Sequence, residues 1–130
     1  MGIEYAIASE DKDFRIDTQY FVEKLRNRWP GAEIRFNLNP QIISVFQWSL
    51  TMDDNFMLGD FNEQGISFKG GSLSNVASFA LWYATLVPSK HKLFLYNSSL
   101  DHKPIELVKG ITLENILAGF NIPLDLSEYE

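Results

Sequence analysis

The chain has no cysteine. That absence removes disulfides, thiolate nucleophiles and zinc–thiolate centres together. Histidine is scarce, limited to His91 and His102, and neither belongs to an HExxH pattern that would seat a metal. Positive charge is in deficit, with 11 Lys and Arg against 17 Asp and Glu, a net of −6. Nucleic-acid binding depends on neutralising phosphates with Lys and Arg, so this balance speaks against it. Long apolar runs are missing as well. The longest, Phe79 to Val87 with Thr85 inside it, falls well short of the roughly 20 residues that span a bilayer. Glycine-rich phosphate fingerprints, GxGxxG or GxxxxGK[ST], do not occur. The opening residues MGIEYAIASEDKD have no basic, apolar signal-peptide pattern, and Ala6 stands where myristoylation wants Ser or Thr. Together these absences predict a soluble, cytoplasmic protein without metal or cofactor.

What is present is apolar and aromatic. Of 130 residues, 45% are apolar, including ten Phe, five Tyr and three Trp. A chain of this length buries roughly two-thirds of its unfolded surface, so residues 1–130 are read as a single globular domain. Ile3, Tyr5 and Ile7 alternate with Glu4 and Ala6 as a first strand. Asp17 suits a helix N-cap, with Ile16 and Phe21 placed as a hydrophobic staple, and Pro30–Gly31 ends that helix. Strands follow at Ile34, Phe36 and Leu38, then over 44–52, 56–61 and 66–69. In the second of these Phe46, Trp48, Leu50 and Met52 oppose Val45, Gln47, Ser49 and Thr51. Gly70-Gly71-Ser72 opens a helix over about 73–87 that Pro88 closes. Lys92 to Tyr96 is a strand apolar on both sides, the pattern of an interior position. A last helix starts at Thr112. The order β-α-β-β-β-β-α-β-α predicts an α+β two-layer sandwich: a mixed, mainly antiparallel sheet with helices chiefly on one face.

On the second helix, Leu73, Val76, Ala80, Tyr83, Ala84 and Val87 share one side at about 100° per residue. Trp82, flanked by Phe79 and Leu86, points away from the sheet. Either Phe120, Ile122 and Leu124 cover it, or it anchors a partner, as interface tryptophans do. Lys69, Gly70, Gly71 and Ser72 form a strand-to-helix turn whose amides could hold an anion, although two glycines and a serine also make a tight turn and a cap. Asp53, Asp54, Asp60 and Glu63 gather near two hairpin turns without calcium-loop spacing. Ser98, Ser99, Asp101 and His102 invite a triad reading that no nucleophile elbow supports. His91, between Lys90 and Lys92, reads as a solvated turn.

No catalytic residue is assigned. The leading expectation is a non-enzymatic, acidic protein-binding domain acting through Trp82, Phe79 and Leu86 on a basic protein. One form of it is an immunity or antitoxin-like protein masking a basic toxin by charge complementarity. The competing expectation is a small enzyme or ligand sensor with an anion at Lys69–Ser72 and His102 as acid or base. A third is a homodimer through the outer sheet face that bears Val45, Gln47, Ser49 and Thr51.

Overall fold

The computed structural model describes residues 4–36, 45–88, 90–98 and 102–121. Ile3, Leu38, Ser99, Asp101, Ile122 and Leu124, named above, lie outside the described residues. The elements run β1 (Glu4–Ser9), α1 (Thr18–Arg28), β2 (Glu33–Phe36), β3 (Phe46–Met52), β4 (Asn55–Asn62), β5 (Gly65–Gly70), α2 (Leu73–Thr85), β6 (Leu93–Asn97), β7 (Ile105–Glu106) and α3 (Leu113–Gly119). This is the expected α+β order with one addition, the two-residue β7.

The seven strands form one sheet in the order β2-β3-β4-β5-β1-β6-β7, and every neighbouring pair is antiparallel. The mixed sheet expected from two helical crossovers therefore resolves into an antiparallel one. Following the pairings, β1 and β2 run the same way, as do β5 and β6, so each crossover does join parallel strands. In neither case are those strands neighbours: α1 passes over three of them, and β1 sits between β5 and β6.

Local chemistry explains the helix starts. Asp17 accepts the Tyr20 N–H at 3.0 Å, with Ile16 and Phe21 buried on either side of it. Glu63, in the β4–β5 hairpin, adds an anchor: its carbonyl accepts the Ile16 N–H at 2.8 Å and its carboxylate accepts the Thr18 hydroxyl at 3.0 Å. Ser72 and Thr112 each cap a helix in reciprocal boxes with Asn75 and Asn115.

One face of the sheet carries the core. Ile7, Phe46, Trp48, Met57, Phe61, Phe68 and Leu95 point to it and are almost fully buried. α1 lies over β3 and β4, where Phe21 stacks on Phe61 at 4.4 Å and also meets Phe46. α2 lies over the centre, with Phe79 stacked 4.7 Å from Trp48 and 4.8 Å from Phe68. α3 continues the layer, and Phe120 at its end meets Tyr5. No helix of the described residues is long and apolar enough to cross a membrane.

Because α2 is the middle helix, its buried arc is wider than one stripe. Val76, Ala80 and Tyr83 are buried as expected, but so are Asn75, Ala77 and Phe79, while Leu73 is 50% exposed. Tyr83 is fully buried and its hydroxyl has no hydrogen-bond partner among the described residues. Burial pushes this phenol above its ordinary range. Tyr83→Phe should therefore stabilise the fold by about 1 kcal/mol at neutral pH, since it removes a buried donor left unsatisfied. Above about pH 10 an unfolded tyrosine ionises, whereas the folded chain keeps this proton. The unfolded state then binds fewer protons, so stability falls as pH rises. Urea melts at pH 7 and pH 11 should show Y83F gaining more at the higher pH. Equal midpoints for both proteins would contradict this reading.

Candidate functional site

The residues singled out as a partner anchor occupy different environments. Phe79 has no exposed surface and is core, because it is the ring α2 lays on the sheet; it is not available to a partner in this fold. Trp82 is partly covered, and among the described residues no ring contact joins it to Phe120. Its ring packs edge-on to Trp29 at 5.0 Å and Phe21 at 5.7 Å, both from the α1 region. Trp82 and Leu86 are partly buried residues packed against the core.

The Gly70-Gly71 turn is filled by its own side chains. Both glycines have positive φ, 95° and 78°, which a residue with a Cβ rarely adopts. Ser72 donates its N–H and its hydroxyl to Asn75 Oδ1 at 2.9 and 3.0 Å, and the Asn75 N–H returns to Ser72 Oγ at 3.2 Å. Asn75 Nδ2 donates to the Asp53 carboxylate at 3.1 Å. An incoming anion would find two of the first amides taken and a carboxylate alongside. Lys69 stands on the other side of the sheet from the helices, since it follows the inward Phe68. The expected anion site is therefore a cap.

The acidic cluster also disperses. Asp53 and Asp54 form one hairpin turn at the start of β4, whereas Asp60 and Glu63 lie near its far end. Among the described residues no group of three His, Asp or Glu could hold a metal. His91 is no solvated turn residue: its Nδ1 lies 3.0 Å from Asp11 Oδ2, its side chain is 12% exposed, and its ring meets Phe14 edge-on. His102 is 3% exposed. Its Nδ1 lies 2.9 Å from the Lys103 carbonyl, which can only accept, so Nδ1 carries the hydrogen. Its Nε2 is buried, with no hydrogen-bond partner among the described residues. Ser98 extends the β1–β6 ladder by donating its N–H to the Glu4 carbonyl, and its hydroxyl accepts the Glu4 N–H at 3.2 Å. That hydroxyl does not serve His102.

The surface that does stand out is the open face of the sheet. All three helices lie on one side, so the outward side chains of β1, β4, β5 and β6 face away from them. Four small residues, Ala6, Ala8, Gly65 and Ser67, floor a shallow trough of about 600 Å³ bounded by Asp60, Asn62 and Gln64. Register places Phe94 beside Ala8 and Tyr96 beside Ala6, and these two rings lie 6.2 Å apart. Two carboxylates act on the pair. Glu106 is opposite Phe94 on β7, and Tyr96 is held above the usual phenol range by burial and by the Glu10 carboxylate. No lysine or arginine lines the trough.

Sequence reasoning took the apolar residues on both sides of β6 as the mark of an interior position in the sheet, and β6 does lie between β1 and β7. Three short helices cover one face of the seven strands, and among the described residues no helix lies over the aromatic pair on the other. The arrangement offers two rings, a small-residue floor and acidic rims, and no assembled nucleophile or acid–base pair among its described residues. No family model matches the chain, and neither a curated protein nor a solved structure matches it.

Proposed function

We propose that this chain is a non-enzymatic protein-binding domain whose open sheet face receives a basic segment of another protein. An acidic immunity or antitoxin-like protein that masks a basic target is the form of this function that fits the charge. The observation that carries the reading is the Phe94–Tyr96 pair on the uncovered side of β6, beside the trough and among Asp60, Glu10 and Glu106. Aromatic side chains next to a floor of small residues are the usual anchors of an interface. A lysine or arginine laid over such a ring gains about 0.5–1 kcal/mol at an exposed site, and complementary charge speeds encounter and selects the partner. A second copy of the chain is a poorer occupant, because it would bring the same carboxylates against themselves.

The test is affinity capture at low salt with the wild-type protein and with F94S/Y96S in parallel. Both rings are partly exposed, so the double variant should keep its circular dichroism spectrum and lose little stability. We expect a basic protein on the wild-type column and its loss from the variant, an affinity drop of about 2 kcal/mol, or roughly thirtyfold. Retention should weaken as salt rises. Equal retention by both columns, or nothing retained by the wild type, would defeat the reading. Light scattering should report a monomer at all concentrations; a concentration-dependent dimer lost in F94S/Y96S would assign the face to self-association instead.

A further inference from the structure

The open face is not the only concavity. The connection after α2 and the connection between β7 and α3 face each other across a cleft of about 550 Å³, within the range of small-molecule sites. Its walls are apolar, built from Leu81, Ala84, Leu93, Leu107 and Ile111. Lys90, Lys92 and Lys109 also line it, with Glu106 the one carboxylate among the lining residues. Three of the seven lysines of an acidic chain thus meet at one cavity. The one ion pair among the described residues joins His91 to Asp11, so it neutralises none of them.

Helix electrostatics do not account for this cluster. Lys90 and Lys92 follow the end of α2, where a cation is favourable, but the partial charge there is about half an electron and acts within the last turn. Lys109 is in the opposite position, shortly before the N-terminus of α3, where the dipole disfavours a cation. Two segments distant in sequence bring like charges to the mouth of an apolar cleft. All three are exposed, and an anion held between them would relieve their mutual repulsion.

We infer that the cleft binds a small organic acid, its apolar body lying between α2 and residues 107–111 and its carboxylate held by Lys90, Lys92 and Lys109. Both features of the site are needed: the walls select the body and the lysines select the charge. Glu106 borders both the cleft and the open face, but none of the three lysines lines the trough.

Three probes test it by heteronuclear NMR titration of the full chain: decanoate, decanol, which has the same tail without the charge, and acetate, which has the charge without the tail. Decanoate should bind saturably in the micromolar range, shifting the amides of Leu81, Leu107 and Ile111. Decanol and acetate should each bind at least tenfold more weakly. In K90M/K92M/K109M decanoate should lose at least tenfold while decanol is unchanged, and an unaltered melting temperature would show that the fold survives the exchange of three exposed side chains. Absence of saturable shifts with decanoate would overturn the inference. So would decanol binding as tightly as decanoate, or the triple variant binding decanoate like the wild type.

Discussion

Replacing Gly59 by alanine should destabilise the fold by about 3 kcal/mol, at the upper end of what overpacking a core costs. Gly59 lies in the middle of β4, opposite Trp48 on one side and Phe68 on the other. A Cβ there would enter the Trp48 indole and the Ser67 carbonyl. Neither neighbour has room to give. The indole is 1% exposed and stacked on Phe79 with the planes only 9° apart, and the carbonyl is strand backbone. For a domain of this size the loss corresponds to a melting temperature roughly 10 °C lower. A double-mutant cycle with Trp48→Leu isolates the cause. Removing the indole should relieve part of the clash, so G59A should cost at least 1 kcal/mol less in that background. Strict additivity would mean that ring and Cβ do not meet.

The second large effect is expected at Asn75, where α2, its cap and the β3–β4 hairpin are tied together. This side chain is 1% exposed. Besides its bonds to Ser72 and Asp53, it accepts from Asn55 Nδ2 at 2.9 Å. Asn75→Leu removes the box and strands donors around an apolar group, for a loss of about 2 kcal/mol. Asn75→Asp is the sharper experiment. It keeps the acceptor that serves Ser72 and places an acid near the helix N-terminus, which alone is favourable. It also replaces the donor facing Asp53 by an oxygen, leaving two carboxylates about 3 Å apart. Such a pair repels unless one member holds a proton, so N75D should be destabilised by about 2 kcal/mol at pH 7 and recover on acidification through the carboxylate range near pH 4. The exchange D53N/N75D restores one donor and one acceptor in the opposite sense and should recover most of the loss at pH 7. If the exchange is as unstable as N75D, the contact does not carry the effect.

The residues whose neighbours lie within a few positions were the readable ones. Asp17, Ser72 and Thr112 start their helices because each side chain reaches an amide three residues on. The alternation of β3 assigned Phe46, Trp48, Leu50 and Met52 to the core, and all four are buried. Phe120 was expected beside Trp82, but the α1 region supplies Trp29 and Phe21 there, and no local pattern states which helices lie side by side. Phe79 was grouped with Trp82 by its helical angle. It belongs to the core because α2 beds deeply between its neighbours. The candidate sites fared less well for the same reason. The turn at Gly70 reads as an anion cradle until Asp53, distant in sequence, is seen beside it.

By itself, the order of amino acids determined the three helices and every strand but β7, where the helices start, and which sheet face is apolar in β3, since capping and alternation act over a few residues. Only the tertiary structure decided the position of β1 between β5 and β6, the covering of one face alone, and the meeting of three lysines at a cleft. Those outcomes depend on how strands pair and helices pack across long stretches of chain, and alternation names a strand's faces without naming its neighbours.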